Sequence, residues 1–524
     1  MKRIMGLIGI GLLAALVLLW SGVSGGTGIS RGKNINSPKA PLKAAPANPQ
    51  FVKYRKLKAA GALEAGANGK GGGYIPPVMD MSHLKRIKVA RPQALQGVPL
   101  PPSWDWRENK GVTPVRDQGG CGSCWAFACM GALESLYKHS LNNYPNINLS
   151  ENNMISCHWP WLWGRCEGGN SYIASGYLVG LIQKPPDSFK YRHKGALLDS
   201  SDPYKATSHN DRLCENRPNP KLNVESFKWV GGAGDELKYA IYNTGPVTTA
   251  LDWDSAYYDA STYIYYYPTP PADAFNHMVL LVGWDDNLPF PGGQGCWIAK
   301  NSWGKSFGDE GYFYIPYGSG NVGNGGDNLY FDSWRKYSKY ELAYMEDLPG
   351  MINAVGPFDA PLDTMTGGVI FSPTYDFEEL THVEFYTTSP NAQFEIRVWG
   401  QAVVEDWDAG EPVSFYNLMT YQTGVCQEMG YYSIELNAPQ VLVWEPNRFY
   451  GIQVKFTTPQ YDYPLPVAYP VTDMIGDFFD ADEVSARSYY YDPATGKFWY
   501  LWVDDPVNPG IVPSAICIRA RTYH

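Results

Sequence analysis

The stretch QGGCGSCWAF, Gln118 to Phe127, places two cysteines three residues apart, behind a glycine run and ahead of an apolar segment. This spacing suits a disulfide pair, a metal clip, or a structural cysteine beside a reactive one. The surroundings of Cys124 favour reactivity. Gly119, Gly120 and Gly122 give the backbone a tight approach, and Ala126 to Leu141 has helical spacing through Phe127, Met130, Leu133, Leu136 and Tyr137. A thiol where such a helix begins feels the positive end of the dipole and has unpaired N–H groups nearby. Both predict a pKa lowered from about 8.5 toward the range of roughly 3.5–7.5.

A reactive thiol needs an imidazole to form a thiolate–imidazolium pair. Of eight histidines, His277 in AFNHMVLLVGW is a polar residue opening a buried strand, which puts its ring at the rim of a sheet. In WIAKNSWGKSFGDEGYFYI, Asn301 can accept the imidazole N–H and fix the ring's orientation. Trp303 can cover that hydrogen bond from water.

These three blocks resemble the active-site blocks of the papain family of cysteine peptidases. Further stretches follow in the family's order: PPSWDWRENKGVTPVRDQ, LSENNMISC, CEGG, DPYKA and TGPVTTALD. The resemblance covers about Leu100 to Lys339. It implies that Cys124 is the nucleophile, His277 the general base and acid, and Asn301 the group that orients the ring. The Gln118 side chain and the Cys124 backbone N–H would form the oxyanion hole. Gly168 and Gly169 would let an extended substrate pair with the backbone like an added strand. Ser171, Phe275 and Met278 would shape the pocket for the second residue before the cut. Disulfides Cys121–Cys166 and Cys157–Cys214 are implied, each worth roughly 2–4 kcal/mol.

The sequence departs from the family pattern in spacing. His277 and Asn301 lie 153 and 177 residues after Cys124, beyond the roughly 130–150 of the family signature. The surplus falls in Asp285 to Gly295, His158 to Arg165, and Gln183 to Ser201, which read as surface loops. No cysteine-bridged occluding loop with paired histidines is evident, which favours endopeptidase over dipeptidase action.

A chain of 524 residues exceeds one core. Residues 1–24 read as a signal peptide or membrane anchor: Met1-Lys2-Arg3, an apolar run from Ile4 to Trp20, then small residues. Between Gly25 and Leu100 stand 13 Lys and Arg residues against two acids; setting these and Lys2 and Arg3 aside leaves 27 basic and 50 acidic residues. The resemblance implies that residues 25–99 are a linker and pro-segment lying across the cleft, and their basic charge suits an acidic body; a short helix is expected over Phe51 to Ala65. So acidic a body disfavours nucleic acid as a partner. Acidification, by protonating carboxylates of the body, is expected to loosen the segment and permit a cut near Leu100.

From about Tyr340 the pattern becomes short alternating strands: Phe394, Ile396 and Val398 on one face, then Tyr450, Ile452, Val454 and Phe456. That argues for a β-sandwich, and its texture resembles the lectin-like domain that follows some bacterial and archaeal papain-like peptidases. The expected fold is α+β: a two-lobed papain-like domain at 100–339, with a helical lobe and a β-barrel-like lobe, then an all-β sandwich at 340–524. Tyr489, Tyr491, Trp499 and Trp502 are candidates to stack on sugar rings, although aromatics at strand spacing more often form core. Asp477, Asp480, Asp482 and Glu483 could hold calcium, although a solvated acidic loop is the commoner outcome.

Nine cysteines leave at least one unpaired. Cys129 and Cys296 read as buried hydrophobes, and Cys426 with Cys517 as an even choice between bridged and free. No cofactor or metal is called for. The reading is a secreted or surface-held endopeptidase made as a zymogen. Its partners are a peptide or protein substrate, its own pro-segment as inhibitor, and a glycan or cell-surface ligand for the C-terminal domain. The alternative is an adhesion or carbohydrate-binding protein with a vestigial peptidase domain.

Overall fold

The computed structural model describes residues 42–61, 72–89, 99–141, 143–158, 166–179, 195–207, 218–272, 274–324, 327–347, 349–357, 362–405, 412–471, 487–493, 495–504 and 511–524. The expected leader at 1–24 and the acidic residues Asp477, Asp480, Asp482 and Glu483 lie outside these, as do Cys214 and much of the loops around His158 to Arg165 and Gln183 to Ser201. Among the described residues no helix is long and apolar enough to cross a membrane.

One lobe is helical. Its central helix, Cys124–His139, is buried on nearly every side, as the run Trp125, Ala128, Met130, Leu133 and Leu136 requires. Lys138 and His139 in the last turn suit the negative end of the dipole. Helices Glu151–Cys157 and Ser171–Leu178 pack beside it; each starts at a side-chain cap, Ser150 Oγ accepting from Asn153 N and Asn170 Oδ1 from Ile173 N.

The second lobe is a seven-stranded sheet around the long strand His277–Phe290, which pairs with Val247–Leu251, Gly293–Lys300 and Ser103–Asp105. Beyond Gly293–Lys300 the sheet continues through Tyr312–Pro316. The outer half of the strand is exposed, and the surplus residues Asp285 to Gly295 form its hairpin end.

The C-terminal region is all β. Strands Thr364–Phe371, Phe449–Thr457, Ala392–Val404, Val413–Cys426, Lys497–Tyr500 and Ser488–Asp492 close into a barrel. A second sheet crosses the expected boundary at residues 339 and 340. Leu222–Val230 and Asn328–Lys336 pair with each other, and Leu222–Val230 also pairs with Met429–Val443. Buried charges stitch this seam: Arg335 pairs with Glu341, and Arg521 contacts both Glu225 and Glu384. These arginines hold the Glu384 carboxylate down at about 2 despite its burial.

Two expectations need correction, and one open choice closes. The N-terminal helix runs over Pro49–Ala59 rather than Phe51 to Ala65. Asn48 caps it with proline at the first position, and Gly61 at φ +64° turns the chain soon after it. Tyr489 is fully buried and stacked on Tyr500, so it cannot present a face to a sugar; period-two patterning does not say which face is inward. Tyr491 and Trp499 are half-buried, and the side chain of Trp502 lies outside the description. Cys426 and Cys517 are buried and not joined as a disulfide.

Candidate active site

The site lies where the helical lobe meets the sheet. Cys124 opens its helix, and its thiol is wholly buried. The loop before it is pinned from two directions. Cys121 is disulfide-bonded to Cys166, and the Gly122 N–H donates to the Cys166 carbonyl at 3.1 Å. Cys157 is also disulfide-bonded; Cys214, expected as its partner, lies outside the described residues.

His277 begins its strand opposite Leu251. Its Nε2–H donates to Asn301 Oδ1 at 2.9 Å, while Nδ1 has no hydrogen-bond partner. Trp303 stacks on the imidazole at 4.6 Å between centroids and 24° between planes, covering the His277–Asn301 bond. The Cys124 thiol reaches the backbone of Met278, the residue after His277. Nucleophile, imidazole and orienting amide are thus brought together from a helix, a strand start and the end of the next strand.

Gln118 is fully buried in the loop before Cys124. Its Oε1 accepts from Ser302 Oγ at 2.5 Å and its Nε2 donates to the Cys121 carbonyl at 2.8 Å. Tyr204 donates to the Gln118 carbonyl at 2.8 Å and pairs with Ser123 Oγ at 2.7 Å, tying the loop to the helix start. Sequence reading assigned no role to Ser302 or Tyr204, although each sits inside a quoted motif.

The cleft is covered by the chain's own N-terminal segment. Gly169 N–H donates to the Gly73 carbonyl at 2.8 Å, and Ile75 N–H to the Gly169 carbonyl at 2.9 Å, in a parallel bridge of Tyr74 with Gly169. Asn170 Nδ2 donates to the Ile75 carbonyl at 2.9 Å, and Tyr74 N–H to the Asn276 carbonyl at 3.3 Å. Glycine is required for so close an approach: a Cβ on Gly73 would meet the Gly122 carbonyl oxygen at 2.2 Å, and one on Gly72 the Asn276 oxygen at 2.5 Å. Gly168, at φ +130°, would carry a Cβ 2.8 Å from the Gly73 oxygen.

Tyr74 turns its ring edge-on to Phe275, 6.0 Å between centroids. Its buried hydroxyl lies beside Asp327. Asp327 accepts from Ser171 Oγ, which in turn accepts from Trp229 Nε1 at 3.0 Å. Burial lifts the Asp327 carboxyl to about 7 against those hydrogen bonds. Ser171 and Met278 are both buried.

This cover reverses the expected ionisation of Cys124. Burial pushes the thiol up to about 11, outweighing the lowering by the backbones of Met278, Gly73 and Trp125. Burial likewise drives the His277 imidazole down to about 4, against the Asn301 hydrogen bond. Both shifts run against the charged forms, as burial does.

A helical lobe and a β lobe with cysteine, histidine, asparagine and glutamine at their junction define the papain type of thiol peptidase fold. Residues 100–330 match the description of the papain family of cysteine proteases, and residues 343–522 match that of the lectin-like domains. The chain is similar to the thiol protease aleurain of Arabidopsis thaliana, 34% identical over 230 residues, covering 43% of this chain and 58% of that protein. It is also similar to cathepsin S of Bos taurus, 36% identical over 225 residues, covering 42% and 62%. The matched part thus spans about three fifths of these relatives' length. Among solved structures, the fold is shared with the cysteine protease and lectin-like domains of Cwp84, a surface layer associated protein of Clostridium difficile. That likeness has a TM-score of 0.70 at 20% identity and covers 92% of this chain and 98% of that one. A Cwp84 structure after propeptide cleavage gives 0.63 at 21% identity, over 80% and 99%.

Proposed function

We propose that the protein is an extracytoplasmic cysteine endopeptidase, made as a zymogen whose residues 72–75 block the cleft. The observation that carries this is the convergence of Cys124, His277, Asn301 and Gln118 in one buried site, with the His277–Asn301 bond at 2.9 Å under Trp303. Withdrawal of the strap admits water, which removes the desolvation that holds both groups neutral, and proton transfer from Cys124 to His277 then gives the ion pair.

The thiolate attacks the scissile carbonyl carbon. The Gln118 side chain and the Cys124 backbone N–H stabilise the oxyanion. His277 gives its proton to the leaving amine, leaving a thioester on Cys124. Water, deprotonated by His277, then hydrolyses the thioester and restores the thiol. Asn301 keeps the ring in one tautomer throughout.

The disulfide Cys121–Cys166 supports an oxidising, extracytoplasmic location. We assign the lectin-like region a glycan or cell-surface ligand on the strength of its family match.

The test is labelling of processed protein by a thiol-directed epoxide, with Cys124→Ala as control. The reading requires stoichiometric labelling that the control loses, together with cleavage of a denatured protein; labelling retained in the control refutes it. Gln118→Ala is expected to lower kcat by about 10²–10³.

A further inference from the structure

The N-terminal segment is built into the C-terminal domain as well as laid over the cleft. The strand Leu42–Ala44 occupies an interior position in a six-stranded sheet whose other strands all come from the C-terminal region. It pairs antiparallel with Asn353–Gly356 and parallel with Trp502–Asp504. The contact continues beyond the strand: Ala45 N–H donates to the Ala354 carbonyl at 2.7 Å, and Asn353 Nδ2 to the Ala45 carbonyl at 3.3 Å. Leu42, Ala44, Ala45 and Phe51 are buried.

The segment's far end is held partly in the same region and partly against Trp229 to Gly234, which Leu84 and Ile87 border together with Pro390 and Glu428. Met79, Met81, Leu84 and Ile87 are buried. His83, buried as well, stacks on Tyr461 at 4.0 Å and its Nε2 donates to the Thr388 carbonyl at 2.8 Å. Asn391 Nδ2 donates to the Lys88 carbonyl at 2.8 Å. The two ends are tied to one another through Asn48 N–H to the Val78 carbonyl, 2.8 Å, and Asp80 N–H to the Pro46 carbonyl, 3.0 Å.

Removing such a segment would bare two unpaired strand edges inside a sheet and the apolar bed of eight buried side chains. We infer that residues 42–61 and 78–89 are permanent parts of the C-terminal domain. Hydrolysis of one peptide bond between residues 90 and 98, consuming one water, leaves two chains that stay together. The occupant of the slot between Asn353–Gly356 and Trp502–Asp504 is this chain's own cleaved segment, and only residues 72–75 have to leave the cleft for substrate to enter. The docking stands on these contacts alone; calling the strap inhibitory rests on the peptidase reading above.

The test uses the full chain carrying Cys124→Ala, so that catalysis plays no part, with a site for an unrelated sequence-specific protease placed between residues 90 and 98. After cutting, the segment-to-body ratio is measured by intact mass in the size-exclusion peak and in any precipitate, at successive dilutions. The expected result is a ratio unchanged by the cut. A fall of about tenfold or more at nanomolar concentration overturns the inference. Leu42→Asp with Ala44→Asp is expected to release the segment after the cut, whereas Tyr74→Ala is expected to retain it. Release by Tyr74→Ala would show that the cleft is what holds the segment, and would overturn the inference as well.

Discussion

The N-terminal segment meets the body in two regions by different physics. Over the cleft the contact is mostly backbone, and two glycines permit an approach that any side chain would forbid. In the C-terminal domain it is a paired strand and a row of buried apolar side chains. The first kind can be exchanged for another extended chain with little reorganisation. The second kind is core. The basic charge of the segment, which the sequence brings forward, accounts for little of either: Lys58 meets Glu167 at 2.9 Å with both side chains at least a third exposed, and Lys88 lies 3.9 Å from Glu236 with 88% of its side chain in water. Exposed pairs of this sort contribute about 0–1 kcal/mol.

This contrast can be broken from either side. Phe51→Ala removes a fully buried ring from the anchor and should destabilise the uncut protein by about 3–5 kcal/mol, read as a lowered denaturant midpoint. A change of under about 1 kcal/mol would mean that the anchor is not core. Acidification should act next. Burial lowers His83 to about 4, with Asp80 raising it and Arg86 lowering it. A folded pKa below the unfolded 6.5 means that its full contribution is present above pH 6.5 and is lost as pH falls toward 4, by roughly 3 kcal/mol. Segment release after the cut should therefore steepen in that window, and His83→Phe should flatten it. A window unchanged in that variant would return the effect to the body's carboxylates.

Gly73→Ala tests the cleft half. The added methyl collides with the Gly122 backbone, so the strap should lift while the anchor holds, and epoxide labelling of Cys124 in uncut protein should rise at least about tenfold, equivalent to about 1.4 kcal/mol. Lys58→Ala is the smallest effect, under about 1 kcal/mol in segment affinity. A larger loss by equilibrium binding at low salt would restore charge as a main term.

The residues of the candidate site were legible because the chemistry proposed for them forces them into short motifs: Cys124 behind glycines, His277 as a polar break at the head of an apolar strand, and Asn301 beside Trp303. The alternation at Phe394 to Val398 likewise corresponds to a barrel strand with those residues buried. What escaped depends on long-range placement. Nothing local says that Tyr74 will lie against Phe275 and Asp327, or that Leu42–Ala44 will be an interior strand of a sheet more than 300 residues away in sequence. The ionisation of Cys124 was misjudged for the same reason. Local dipole and amides were visible, and the strap that desolvates them was not.

The sheet that crosses the expected boundary bears on how this protein can be dissected. A fragment ending at Lys339 would keep Leu222–Val230 but lose its neighbour Met429–Val443, baring the edge at Phe227 to Trp229 and taking Glu341 from Arg335 and Arg521 from Glu225. Such edges recruit other chains. Residues 100–339, expressed by themselves, are therefore a poor stand-in for the whole chain, and their aggregation would report on a missing neighbour rather than on a defective candidate site.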